Sequence, residues 1–103
     1  MITLDEKTVE AVQVLCRWHG VHRLYVFGSA ARGDFDPERS DVDFLVVFRD
    51  REPTGAFADR YLGLAGDLED LLGRRVDLIT LESIRNRFFM REVEENRELI
   101  YAA

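Results

Sequence analysis

One cysteine, Cys16, is all the chain contains, so no disulfide can close within it. It falls in an apolar helical pattern and is expected as a reduced core residue, which suits the cytoplasm. Positive charge is also in deficit: 20 acidic residues against 14 lysines and arginines leave a formal net charge of −6. A field of that sign opposes a polynucleotide, whose binding rests on several cationic contacts to phosphate, so no direct nucleic-acid substrate is expected. No apolar run approaches the roughly 18 residues needed to span a bilayer, and MITLDEK lacks a basic start followed by an apolar stretch. Neither secretion nor a membrane span is expected. No low-complexity linker or internal repeat divides the chain. Its 103 residues, 47% hydrophobic, suit one compact domain over 1–103 that buries about two thirds of its unfolded surface without metals or disulfides.

What is there centres on residues 24–48, LYVFGSAARGDFDPERSDVDFLVVF. It reads as a buried strand over 24–27, a Gly-Ser turn opening a short helix over 29–33, a solvated loop over 34–39 with Pro37 as its turn residue, and a second strand over 41–48. Asp41 and Asp43 alternate with Val42, so period-two geometry points both carboxylates to one face, with alpha carbons roughly 6.5 Å apart. Two carboxylates held against an apolar strand repel each other and lose hydration, so a bound cation is expected there. Gly28 allows close approach, Ser29 caps the following helix, and the unpaired amides there favour phosphate oxygens. Arg32 either contacts a triphosphate from this turn or is an exposed helix residue. Phosphate on one side and divalent metal on the other is a layout for phosphoryl or nucleotidyl transfer.

The flanks supply a scaffold and a third acid. Thr3-x-x-Glu6 has the form of a capping box, and Val9, Val12, Leu15, Cys16 and His19 recur at helical spacing, predicting a helix over about 4–19 that Gly20 stops. His19 and His22 are separated by that glycine and read as structural histidines. Residues 49–55 read as a loop. Phe57, Tyr61, Leu64, Ala65, Leu68, Leu71 and Leu72 then mark an amphipathic helix packed on the sheet and ended by Gly73, with Tyr61 as a core aromatic. Residues 75–79, Arg-Val-Asp-Leu-Ile, form a third strand whose Asp77 is costly there unless paired or bound to metal. The tail predicts a short helix near 83–86 and a second over 91–101.

The order apolar strand, Gly28-Ser29, then Asp41-x-Asp43 leading an apolar strand resembles the signature of the DNA polymerase β-like nucleotidyltransferase superfamily, and best the minimal nucleotidyltransferases. Arg32-Gly33, Ser40 and the later Asp77 match as well, and the resemblance covers nearly the whole chain. It implies an α+β fold, a small mixed sheet of three to four strands with helices mainly on one face and the carboxylates lining the exposed face. It implies Asp41, Asp43 and Asp77 as catalytic metal ligands for two Mg2+ ions, and Gly28, Ser29 and Arg32 as the nucleotide-binding set. Polymerase-like enzymes that extend nucleic acid carry further domains, for which these 103 residues leave no room. Minimal relatives resemble antitoxins paired with HEPN-type ribonuclease toxins, so the resemblance implies ATP as donor, AMP as the transferred group and a tyrosine of a HEPN toxin as acceptor, in a homo- or hetero-oligomer. Two alternatives stay open: an antitoxin that neutralises its toxin by binding alone, and an enzyme acting on a small-molecule hydroxyl.

Overall fold

The structure, a computed structural model, describes residues 5–28, 41–49 and 55–103. The expectations for Thr3, Ser29, Arg32, Ser40, the helix over 29–33, the loop over 34–39 and most of the 49–55 loop fall outside those residues.

Asp5 opens the first helix, its carboxylate accepting the Thr8 amide at 2.8 Å, and α1 (Glu6–Trp18) follows. This corrects the start predicted near residue 4. Glu6 is the first helical residue, too early to close a capping box, and the cap is an aspartate instead. The Thr8 amide bond holds the Asp5 carboxyl below its ordinary value. Gly20 takes a φ of 70° just past the helix, as the sequence implies.

Next come β1 (Val21–Phe27), β2 (Val42–Phe48), α2 (Gly55–Leu72) and β3 (Val76–Thr80). A 3-10 turn (Leu81–Ser83), α3 (Arg87–Asn96) and β4 (Glu98–Ala102) complete the order. The sheet runs β3-β2-β1-β4, with β2 and β3 parallel and the other two pairs antiparallel. A parallel neighbour requires a crossover, and α2 provides it.

Alternation divides the sheet into two faces. Leu24, Val26, Val42, Phe44, Val46 and Leu78 pack with Val12 and Cys16 of α1 and Leu64 and Leu68 of α2. Fully burying one such side chain stabilises by roughly 1.5–3 kcal/mol, so this layer holds the fold. His19 Nε2 lies 2.7 Å from Asp67 Oδ2 and ties α1 to α2, a structural role. Tyr61 packs against the same core and donates its hydroxyl to the Leu78 carbonyl of β3. On the opposite face, Phe27 and Leu45 pack with Val93 of α3, and the Phe27 and Phe89 rings meet edge-on at 6.0 Å. Among the described residues, two helices therefore cover one face and α3 partly covers the other.

The tail departs from its prediction. Asn86 accepts the Phe88 and Phe89 amides at 2.9 and 3.2 Å, so α3 starts at Arg87 rather than 91, and the short helix predicted near 83–86 is the 3-10 turn over Leu81–Ser83. Leu99, Ile100 and Tyr101 do not continue that helix. They form β4 beside β1, burying Ile100 and Tyr101. Ile100 is the extra residue of a bulge between the Leu24–Tyr101 and Tyr25–Leu99 pairs, and Gln13 Nε2 donates to its carbonyl at 3.0 Å.

Candidate active site

The two central acids reach one another through strand register. Asp43 of β2 and Asp77 of β3 are paired residues in the parallel ladder, about 4.8 Å apart across the strands. Each sits between residues packed into the α1–α2 layer, Val42 and Phe44 in one strand and Val76 and Leu78 in the other. Both carboxylates therefore emerge on the face that α1 and α2 leave free. The amide of Val42 donates to the Arg75 carbonyl at 3.1 Å, which fixes the register at the point where both strands begin. Asp43 is half-buried and Asp77 exposed.

Gly28 completes the arrangement from β1. Phe27 pairs with Asp43 across the antiparallel ladder, and Gly28 follows with a φ of 70°. A Cβ on Gly28 would overlap Asp43 Oδ2. Glycine is therefore required twice, for a left-handed backbone and for a turn that passes directly over a carboxylate.

Asp41 is exposed and lies one residue before β2 begins. Strand alternation thus stops short of it. Among the described residues, no three acidic, histidine or cysteine side chains gather closely enough to hold a metal ion. The donor chemistry nonetheless suits a hard divalent cation, since carboxylate oxygens are the ligands Mg2+ takes and two of them stand in register. Among the described residues Asp77 has no hydrogen bond or ion pair. Its charge reaches Tyr61, whose hydroxyl is pushed above the ordinary tyrosine range by burial first and by Asp77 second.

The sequence thus named Gly28, Asp43 and Asp77, and the fold brings these three together. It missed the first turn of the helix that borders them, having started that helix at 91. Phe89 reaches Phe27 beside Asp43, and its signal was the Asn86 cap followed by Phe88-Phe89, which marks a helix start.

Comparison with known proteins gives this geometry a family. The nucleotidyltransferase domain model matches residues 9–100. A protein of Methanocaldococcus jannaschii, provisionally named a protein adenylyltransferase, is 38% identical over 103 residues, covering 92% of this chain and 98% of that protein. A solved structure provisionally described as a minimal nucleotidyltransferase superposes with a TM-score of 0.73 at 36% identity, covering 89% of this chain and 88% of that one. A third likeness is to a complex of a tri-AMPylated Shewanella oneidensis HEPN toxin with an MNT antitoxin. There the TM-score is 0.63 at 22% identity, with 92% of this chain and 70% of that one covered, which shows a shared fold. With its paired acids beside the glycine turn and a match along nearly its whole length, the chain belongs to the nucleotidyltransferase domain family, among the minimal nucleotidyltransferases, and is an enzyme of that class.

Proposed function

We propose that this enzyme transfers AMP from ATP to a hydroxyl on a partner protein, a tyrosine of a HEPN-type toxin, and acts as that toxin's antitoxin. The observation that carries the reading is the Asp43–Asp77 register with Gly28 lying over the Asp43 carboxylate. Support for the donor and acceptor comes from the relative named for protein adenylylation and from the neighbour solved with an AMPylated HEPN toxin.

Asp43 and Asp77 would hold Mg2+, with Asp41 at the entry to β2 as the third ligand. When bound, the metal neutralises triphosphate charge and acidifies the acceptor hydroxyl. The Gly28 turn, with Ser29 and Arg32 after it, would hold the β and γ phosphates. The acceptor oxygen then attacks the α-phosphorus in line, the bond from that phosphorus to the bridging oxygen breaks, and pyrophosphate leaves. Asp77, exposed at the edge of the pair, takes the hydroxyl proton on its way to solvent.

Intact-mass spectrometry tests this. A HEPN protein from the same genome, incubated with the enzyme, ATP and Mg2+, gains mass in units of AMP. Asp43→Asn lowers the rate by at least on the order of 10²-fold, since a carboxylate that would hold the metal at the reacting phosphate is lost. Tight association with no mass gain would leave an antitoxin that acts by binding alone. Mass gain undiminished in Asp43→Asn would remove this carboxylate from the mechanism.

A further inference from the structure

Helix α3 carries its charges in the order that the helix dipole opposes. Arg87 and Arg91 occupy its first half and Glu92, Glu94 and Glu95 its second, with no acid in the first turn and no base in the last. The N-terminal end of a helix is partially positive, so Arg87 is repelled there, and Arg87 and Arg91 repel each other one turn apart. Arg85 adds a third cation just before the Asn86 cap. All three are exposed, and none has an ion pair or side-chain hydrogen bond among the described residues. Phe88, between them, is 84% exposed. Arg85, Arg87, Met90 and Arg91 help line a shallow groove of about 360 Å³. Among the described residues nothing in this set stabilises the fold: the charges work against their own helix and the aromatic ring is left in water.

Position gives the set a use. Phe89 fixes the first turn of α3 against Phe27, and Phe27 pairs with Asp43. A basic, aromatic turn therefore stands at the same end of the sheet as the carboxylate pair, in a chain whose net charge is −6. Arginine and exposed aromatics are the side chains that dominate protein interfaces, and a local charge opposite to that of the whole molecule selects an acidic partner.

We infer that Arg85, Arg87, Phe88 and Arg91 form the docking surface for the acceptor protein, which presents an acidic patch and an apolar recess for Phe88 beside its reactive hydroxyl. This rests on the protein-acceptor reading given above. RNA is the less favoured occupant, because three cations on an acidic molecule give little of the phosphate neutralisation that polynucleotides demand.

Calorimetric titration of a HEPN protein from the same genome into the full chain tests the docking without requiring turnover. The Arg85→Glu/Arg87→Glu/Arg91→Glu variant is expected to weaken association by at least about tenfold, while its affinity for ATP with Mg2+ stays that of the wild type. Wild-type affinity falls as salt rises from 50 to about 300 mM, and the variant's does not. Phe88→Ala weakens association with its salt dependence intact. Equal HEPN affinity in the wild type and the triple variant, or no association of the wild type, overturns the inference. So does binding of poly(U) that the triple variant loses while HEPN association is unchanged. If the wild type docks through this turn and transfers no AMP, the docking surface stands and the proposed activity falls.

Discussion

A methyl group at Gly28 would meet two obstacles together. Its backbone φ of 70° is costly for an L-residue, by roughly 1–2 kcal/mol, and its Cβ would displace the Asp43 carboxylate. The stability cost is small enough for the fold to survive. The catalytic cost should be much larger, because a shift of about 1 Å in a catalytic group costs on the order of 10²-fold. Gly28→Ala is therefore expected to keep the wild-type circular dichroism spectrum while losing about that factor in AMP transfer. A variant with full transfer activity would show that the glycine serves only the turn. The need for a small residue here was legible in the Gly-Ser motif. What it makes room for was not, since the neighbour across β1 and β2 is fixed by antiparallel register rather than by sequence spacing. For Asp77 the resemblance already grouped it with Asp41 and Asp43, and what only the β2–β3 ladder adds is that it stands directly opposite Asp43.

Helices with a clean apolar stripe were read well, and the tail was not. In α1 and α2 the apolar positions recur every three or four residues and meet one sheet face, so period and burial agree. Residues 98–102 are too short for either period to be decisive, and the acidic run before them extends a helical pattern. Pairing with β1 and the burial of Ile100 and Tyr101 outweigh that local preference. The helical layer also makes stability depend on alkaline pH. Burial pushes the Cys16 thiol of α1 from 9.0 up to about 12, and it raises the Tyr61 hydroxyl of α2 above 10.0. Both groups are held neutral in the fold and ionise more readily once unfolded. Their contribution is whole below pH 9 and is lost as pH rises, at about 1.4 kcal/mol per pH unit for Cys16 until its folded value is reached. Urea denaturation should show a loss of about 2 kcal/mol from this thiol between pH 8.5 and 10.5. Cys16→Ala should remove that part of the slope, leaving the later contribution of Tyr61. An unchanged slope would mean that the thiol is not shielded from water.

For the molecule as a whole, the carboxylate pair divides stability from function. Asp77 is exposed and without a hydrogen bond among the described residues, so Asp77→Asn should leave ligand-free stability within about 0.5 kcal/mol of the wild type. Ligand linkage should behave differently. A ligand held only by the folded state stabilises it by about 2.7 kcal/mol at a hundred times its Kd, which moves the Tm of a domain near this size by on the order of 10 °C. ATP with Mg2+ is expected to raise the Tm of the wild type by about that much, ATP with EDTA to raise it far less, and Asp77→Asn to lose most of the Mg2+-dependent part. The comparison separates a binding carboxylate from a structural one. A structural Asp77 would lower Tm with and without ligand, whereas a metal ligand changes only the difference between the two. Should Mg2+ with ATP shift the wild type and Asp77→Asn equally, the register that pairs Asp77 with Asp43 would belong to the sheet alone, and Asp41 would be the residue to test next beside Asp43.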